Sequence, residues 1–272
     1  MQSYPSQQVA LDDWTSRYPA PGIYMLTTQL EHNLAAHANV AVRVGARRMV
    51  VFLPGAQGAG SVRRVPFFHR WTWHEDLSET HVVALGDPSI ALDERLRGGW
   101  FMHPEIDLIS ELASIVQKIA TTLDIKLDSV TIHGSSLGGF GAIGIAAHLP
   151  GSYAIAEIPQ IDVERWPVPS AIHMLEEVVR QPLSEFRKVF PERVDLISRL
   201  LYAKVVPPLL LITNENDTSY DQQKAFLDSL PKLSEECDFL GEQSVLVTDS
   251  VSGHTPLPKE QIIEIIRGAR FS

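Results

Sequence analysis

The amino-acid sequence predicts an α/β fold, a mostly parallel β-sheet with helices on both faces. Two patterns indicate this class. Short apolar runs alternate with helical patterns along the chain, and several runs are almost continuously apolar, as in strands buried on both faces. A third observation, the length of 272 residues without a repeat or long linker, fits one large domain of this kind.

The predicted strands determine where the loops that follow them lie. They are residues 22–28, 40–44, 48–53, 81–85, 129–133, 153–157, 208–213 and 244–248. The run from Arg48 to Leu53 is typical, because it is apolar almost throughout and stops at Pro54-Gly55.

Helices are predicted between these strands, at residues 104–124, 137–148, 222–230 and 259–270. The first has apolar residues at i, i+3 and i+4 spacing and a proline near its first turn. Residues 162–203 contain no strand pattern, with helical pieces on either side of Pro182. We interpret them as a helical cap inserted into a core formed by residues 1–161 and 204–272; an ordinary long crossover is the alternative.

Composition excludes several classes. The net charge of −10 disfavours nucleic acid as a partner. The single cysteine, Cys237, excludes an internal disulfide framework and a multi-cysteine metal site. The polar N-terminus shows no signal peptide, and the longest apolar stretches, residues 49–54 and 205–213, are far shorter than the ~20 residues of a membrane span. We therefore expect a cytoplasmic protein, although a secreted chain without its leader would look similar.

The most specific motif is Gly134-Ser135-Ser136-Leu137-Gly138, between a predicted buried strand and a helix. A Gly-x-Ser-x-Gly turn in this context exposes the serine hydroxyl at the top of a sheet. Its tight backbone leaves no room for side chains two residues to either side, and the next N–H group points toward a substrate oxygen. Ser136 is thus the predicted nucleophile and the Leu137 N–H a predicted oxyanion donor; a plain strand–turn–helix junction is the alternative.

Here the sequence resembles the α/β-hydrolase family, whose members carry nucleophile, acid and histidine in that order. Residues 205–213 lead into a loop with Asp217, where the family places its acid, and residues 245–248 lead to His254, where it places its histidine. The resemblance implies that His254 is the general base and that Asp217 orients it. Alternatives for the acid are Glu215, Asp221 and Asp162, and for the base His133, His103 and His74.

The resemblance also implies a second oxyanion N–H in the loop after the third strand, residues 53–60. Ala56 is the predicted donor, with Gln57 as the alternative. This glycine-rich loop also suggests phosphate binding, but Gly-Lys-Ser/Thr and Gly-x-Gly-x-x-Gly are both absent, so a nucleotide site is disfavoured.

Aromatic residues near the ends of strands are candidates for substrate binding, in particular Trp71, Trp100 and Trp166. Packing in the core is the alternative for each. Four short motifs (Asp87-Pro88, Gly98-Gly99-Trp100, residues 134–141 and Pro159-Gln160-Ile161-Asp162) resemble bacterial α/β-hydrolases found alongside polysaccharide-assembly enzymes. That resemblance suggests a carbohydrate ester as substrate.

Together these features predict a serine esterase that acts on a small-molecule or carbohydrate ester through an acyl-enzyme, with no metal or organic cofactor. An acyltransferase or a thioesterase would use the same residues. A non-catalytic binding or assembly protein on a hydrolase scaffold is the alternative from another class.

Overall fold

The computed structural model describes residues 7–16, 18–58 and 60–269. The strands described are β1 (Gln7–Ala10), β2 (Gly22–Gln29), β3 (Ala35–Val42), β4 (Met49–Phe52), β5 (His81–Leu85), β6 (Val130–Ser135), β7 (Tyr153–Glu157), β8 (Val205–Val206), β9 (Leu209–Asn214), β10 (Phe239–Leu240) and β11 (Gln243–Thr248). The α-helices described are α1 (Leu11–Thr15), α2 (Leu108–Thr122), α3 (Leu137–Ala147), α4 (Pro169–Val179), α5 (Leu183–Val189), α6 (Leu196–Ala203), α7 (Tyr220–Ser229) and α8 (Lys259–Gly268).

Nine strands form one sheet in the order β1-β2-β3-β5-β4-β6-β7-β9-β11, and β8 pairs with β10 separately. Only β3 runs antiparallel to its neighbours in this sheet. The mostly parallel sheet predicted from the apolar runs is confirmed. The chain passes from β4 to β5 on one side and then to β6 on the other, so the strand order reverses beside β4. The crevice outside the carboxyl ends of strands at such a reversal is where open α/β sheets bind ligands.

Two hydrophobic clusters cover the faces of the sheet. The larger includes the apolar sides of α2 and α3, such as Leu112, Val116 and Ile143. The smaller joins α8, through Ile262 and Ile266, to Phe52. Burial on both faces explains why the central strands are apolar at nearly every position.

Several elements differ from the sequence-based expectation. Strand β1 was not expected, and β3 begins at Ala35 rather than Val40 because it pairs with β2 from Gln29 onward. Helix α2 begins at Leu108 rather than at Pro104. The His103 imidazole accepts hydrogen bonds from the N–H groups of residues 105 and 106, and the Asp107 carboxylate then caps the helix.

Residues 162–203 contain α4, α5 and α6. Their buried side chains, including Leu175, Leu183 and Phe186, belong to the larger cluster of the core. Helix α6 is tied to the start of α2, because the buried Arg199 guanidinium lies 2.6 Å from the Asp107 carboxylate. Of the helices described, α2 is the longest at 15 residues, and none has the length and apolar character needed to cross a membrane.

Candidate active site

Ser136 lies on the sharp turn that joins β6 to α3, with φ 57° and ψ −123°. A side chain at either flanking glycine would clash. A Cβ at Gly134 would lie 2.0 Å from the Gly138 carbonyl oxygen, and a Cβ at Gly138 would lie 2.7 Å from that of Pro54. Backbone strain and close packing of this kind are expected at an elbow that presents a nucleophile, and they are the physical reason for the Gly-x-Ser-x-Gly spacing.

Three predicted side chains meet at this turn. The Ser136 Oγ lies 2.8 Å from His254 Nε2, and His254 Nδ1 lies 2.8 Å from Asp217 Oδ2. Asp217 follows β9 and His254 follows β11, two strands paired in parallel, so both residues leave the same edge of the sheet. The Asn214 side chain holds the histidine loop by donating to the Ser250 and Gly253 carbonyls.

Asp217 is placed to remain ionised. Burial by itself would raise the pKa of Asp217, but hydrogen bonds from His254 and from the Ser219 N–H lower it below its ordinary value. An ionised carboxylate that accepts from Nδ1–H leaves the Nε2 lone pair directed at Ser136. The imidazole is therefore held in the tautomer that a general base requires.

The alternative residues occupy other places. Glu215 and Asp221 are exposed, and Asp162 is paired with Arg187. His103 caps the turn before α2, and His74 lies 2.8 Å from an Arg43 guanidinium nitrogen. None of these side chains shares a hydrogen bond with Ser136 among the contacts of the described residues.

His133 belongs to a buried charged cluster that we call the Glu157 cluster, formed by Arg70, His133 and Glu157. Glu157 Oε1 lies 2.7 Å from Arg70 Nη1 and 2.8 Å from His133 Nε2, and Oε2 accepts from the Leu257 N–H at 2.9 Å. Burial and then the Arg70 charge lower the pKa of His133 to about 4. The cluster ties β6 and β7 to the loop that carries His254.

The predicted oxyanion residues lie next to the elbow. A Cβ at Gly98 would lie 2.4 Å from Leu137 Cδ2 and 3.3 Å from Ala56 Cα, so both residues border the same narrow space. The Gln57 N–H already donates to the Arg97 carbonyl, and its side chain bonds to the Arg64 backbone. This engagement favours Ala56 over Gln57 as the second donor.

Two of the three predicted aromatic residues border the site. The Trp166 ring lies 5.1 Å from the His254 ring and 6.5 Å from that of Trp100. Trp71 instead packs at 4.5 Å against His74. His74 is bonded to Arg43, whose backbone N–H reaches His81 at the start of β5. The contact between Arg43 and His81 lies at the amino end of β5, whereas Ser136 and Asp217 follow the carboxyl ends of their strands.

Sequence reasoning did not single out Gln160 as a site residue. Its Nε2 donates to Ser136 Oγ at 3.1 Å, and its Oε1 accepts from the Trp100 indole N–H. One available signal was its position, three residues beyond the carboxyl end of β7, the strand next to the elbow. In the described residues no group of three or more His, Cys, Asp or Glu side chains is arranged to hold a metal ion.

The comparison with solved structures supports the fold assignment. No protein-family model matches the sequence, and no match was found among curated proteins. Among solved structures, the capsule O-acetyltransferase of Neisseria meningitidis serogroup A is similar with a TM-score of 0.62 and 12% identity, over 88% of this chain and 94% of that one.

Two further structures are similar over most of their length. The Francisella virulence factor BioJ has a TM-score of 0.57 at 14% identity, with 95% of this chain and 90% of that one covered. The S-formylglutathione hydrolase FrmB of Staphylococcus aureus has a TM-score of 0.53 at 13% identity, with 92% and 98% covered. Together with the strand order and the elbow, these likenesses show that the chain has the α/β-hydrolase fold.

Proposed function

We propose that this protein is a serine esterase that hydrolyses carboxylic esters through Ser136, His254 and Asp217. One observation carries the proposal: the two 2.8 Å contacts that join the three side chains at a strained strand-to-helix turn. A serine hydroxyl is a poor nucleophile unless a base accepts its proton, and His254 is in place to do so.

The reaction takes place in two halves. Ser136 Oγ attacks the ester carbonyl while its proton passes to His254 Nε2, which then protonates the leaving alcohol. Water next attacks the acyl-enzyme and gives a proton to His254; the bond between the acyl carbon and Oγ then breaks, His254 returns the proton to Oγ, and the acyl group leaves as the acid. Asp217 stabilises the imidazolium in both halves, and the N–H groups of Leu137 and Ala56 are the proposed donors to the oxyanion.

A chromogenic ester and a covalent probe test this proposal together. We expect the wild-type protein to hydrolyse p-nitrophenyl acetate or butyrate and to react with a fluorophosphonate, and Ser136→Ala to do neither. Equal turnover by the variant would reject the mechanism. A wild-type chain that reacts with neither reagent would favour the non-catalytic binding protein.

We further propose that the natural substrate is a carbohydrate ester. The half-buried Trp166 ring lies 5.1 Å from the His254 ring, and aromatic faces stack on sugar rings. One structural neighbour is a capsule O-acetyltransferase. Release of acetate from an O-acetylated oligosaccharide, compared with an acetyl ester of a small alcohol, measures this preference.

An acyltransferase is the second candidate, since that neighbour transfers acetyl groups and a variant of it was solved in complex with CoA. The two reactions share the acyl-enzyme and differ in whether water or an alcohol accepts the acyl group. Adding oligosaccharide acceptors to the ester assay separates them, because a transferase forms an acylated acceptor faster than it forms free acid. An acyl-thioester in place of the ester donor tests for a thioesterase.

We also propose that residues 162–203 act as a cap on the core formed by residues 1–161 and 204–272. The support is Trp166, which lies in this segment against His254. Covering the site in this way would set the size of the acyl or sugar group that fits. Rates for p-nitrophenyl esters of increasing chain length, compared between wild type and Trp166→Ala, check this role.

A further inference from the structure

Ser136 has a second hydrogen-bond partner besides His254. The Gln160 Nε2 donates to Ser136 Oγ at 3.1 Å, and Gln160 Oε1 accepts from the indole N–H of Trp100. Gln160 and Trp100 are only 3% and 4% exposed. A primary amide is therefore held against the reacting atom, largely shielded from water.

The indole decides which end of this amide faces Ser136. A tryptophan N–H can only donate, so it must meet the amide oxygen, and the NH₂ group is then directed at Ser136 Oγ. Since Oγ accepts from Gln160, its own proton is directed to His254 Nε2. The hydrogen bonds thus have one direction, from Trp100 through Gln160, Ser136 and His254 to Asp217.

The backbone around Trp100 is held by a buried carboxylate. Asp87 is fully buried, and its Oδ2 accepts from the N–H groups of Gly99 at 3.1 Å and Phe101 at 3.4 Å. Trp100 and Phe101 both have positive φ, 51° and 56°, which non-glycine residues rarely adopt. The two contacts to Asp87 hold the backbone on either side of Trp100 in this conformation, and the hydrogen bond to Gln160 orients the indole.

We propose that Gln160 is a catalytic residue of deacylation, oriented by Trp100 as a positioning residue; this rests on the esterase function proposed above. In that step water adds to the acyl carbon and His254 takes the water proton. The bond between the acyl carbon and Oγ then breaks, its electron pair goes to Oγ, and His254 returns the proton to Oγ. The Gln160 N–H stabilises the negative charge that develops on Oγ.

We expect the Gln160 hydrogen bond to accelerate deacylation more than acylation, because Ser136 Oγ is in a different chemical state at the start of each half-reaction. In the free enzyme Oγ is a hydroxyl that already accepts from Gln160, so acylation gains little from the contact. In the acyl-enzyme Oγ is an ester oxygen, a weak acceptor, and the hydrogen bond strengthens only as the bond to carbon breaks. Only interactions that are stronger in the transition state accelerate a step.

The test measures the two halves separately in Gln160→Met, which has a side chain of similar length but no amide. Phosphonylation by a fluorophosphonate follows the attack of Oγ, and the decay of the isolated acetyl-enzyme, observed by mass spectrometry, follows deacylation. We expect decay to slow about tenfold, while phosphonylation changes less than about threefold.

Two tryptophan variants complete the comparison. Trp100→Phe keeps a ring but lets the amide turn over, so we expect acetyl-enzyme decay to slow about threefold with phosphonylation unchanged. Trp14→Phe is the matched control: Trp14 is also 4% exposed, and its indole N–H has no hydrogen-bond partner among the described residues. Both rates should stay at the wild-type value in this variant.

Decay unchanged in Gln160→Met would overturn the proposal, and so would equal losses in decay and phosphonylation, which would indicate a merely structural role. These outcomes differ from failure of the esterase function itself. In that case the wild-type protein would form no acetyl-enzyme and take up no phosphonate, and both proposals would be rejected.

Discussion

Among the described residues, two histidine–carboxylate pairs combine a 2.8 Å spacing with a fully buried carboxylate, and one of them lies beside Ser136. His254 Nδ1 is 2.8 Å from Asp217, and His133 Nε2 is 2.8 Å from Glu157. The His254 side chain is 26% exposed and its other nitrogen faces Ser136, whereas the His133 side chain is fully buried and Arg70 lies beside it. Distance alone therefore does not distinguish the two pairs; the contact of the second ring nitrogen with Ser136 and the exposure of His254 do.

The largest expected effect separates the two pairs by activity. His254→Ala removes the proposed base, so ester hydrolysis should fall by about 10⁴-fold or more with little change in the free energy of unfolding. Turnover of p-nitrophenyl acetate and a urea titration measure both quantities. Retained activity in this variant would show that His254 is not the base.

Removing the Glu157 charge from the buried cluster should lower stability. Glu157→Gln leaves the buried Arg70 guanidinium without its counter-ion, so we expect the free energy of unfolding to fall by about 3–5 kcal/mol in urea denaturation. Glu185→Gln is the control, because it breaks an exposed pair with Lys188 and should change stability little. A Glu157→Gln protein as stable as the control would mean that the cluster does not stabilise the fold.

The buried pair should also make stability depend on pH. The pKa of His133 is lowered to about 4 in the folded protein, mainly by burial and then by Arg70, so between pH 6.5 and 4 the unfolded chain binds more protons. The contribution of His133 to the free energy of unfolding should therefore be fully present above pH 6.5 and fall by about 3 kcal/mol as the pH drops through this window. In His133→Asn the slope of unfolding free energy against pH should be shallower; parallel curves for the two proteins would argue against this origin.

The smallest expected effect concerns substrate binding beside His254. Trp166→Ala removes the ring beside His254, so KM for an aryl or sugar ester should rise about three- to tenfold. Trp71→Ala should leave KM unchanged, because that ring packs against His74. Steady-state kinetics measure KM in both variants. Equal changes in KM would show that substrate does not bind preferentially on the Trp166 side of the site.

Much of the fold could be read from local patterns. The continuous apolar run before Pro54 reflects a short strand that is buried at every position. The glycines around Ser136 reflect a turn that leaves no room for side chains. Both constraints act within a few residues. Strand β1 and the first half of β3 could not be read in this way. They form through pairing with β2, and the stretch Ala35–Ala38 has little strand propensity of its own.

The sequence by itself determined the elbow and the order of Ser136, Asp217 and His254, because the order of residues is a property of the chain. The tertiary structure decided which histidine faces Ser136, since His254 is 118 residues from it in sequence and 2.8 Å away in space. It also decided that the Gln57 N–H is used by Arg97 and that Trp100 turns the Gln160 amide toward Oγ. Hydrogen-bond direction depends on which donors and acceptors meet across different loops, and no local pattern contains that information.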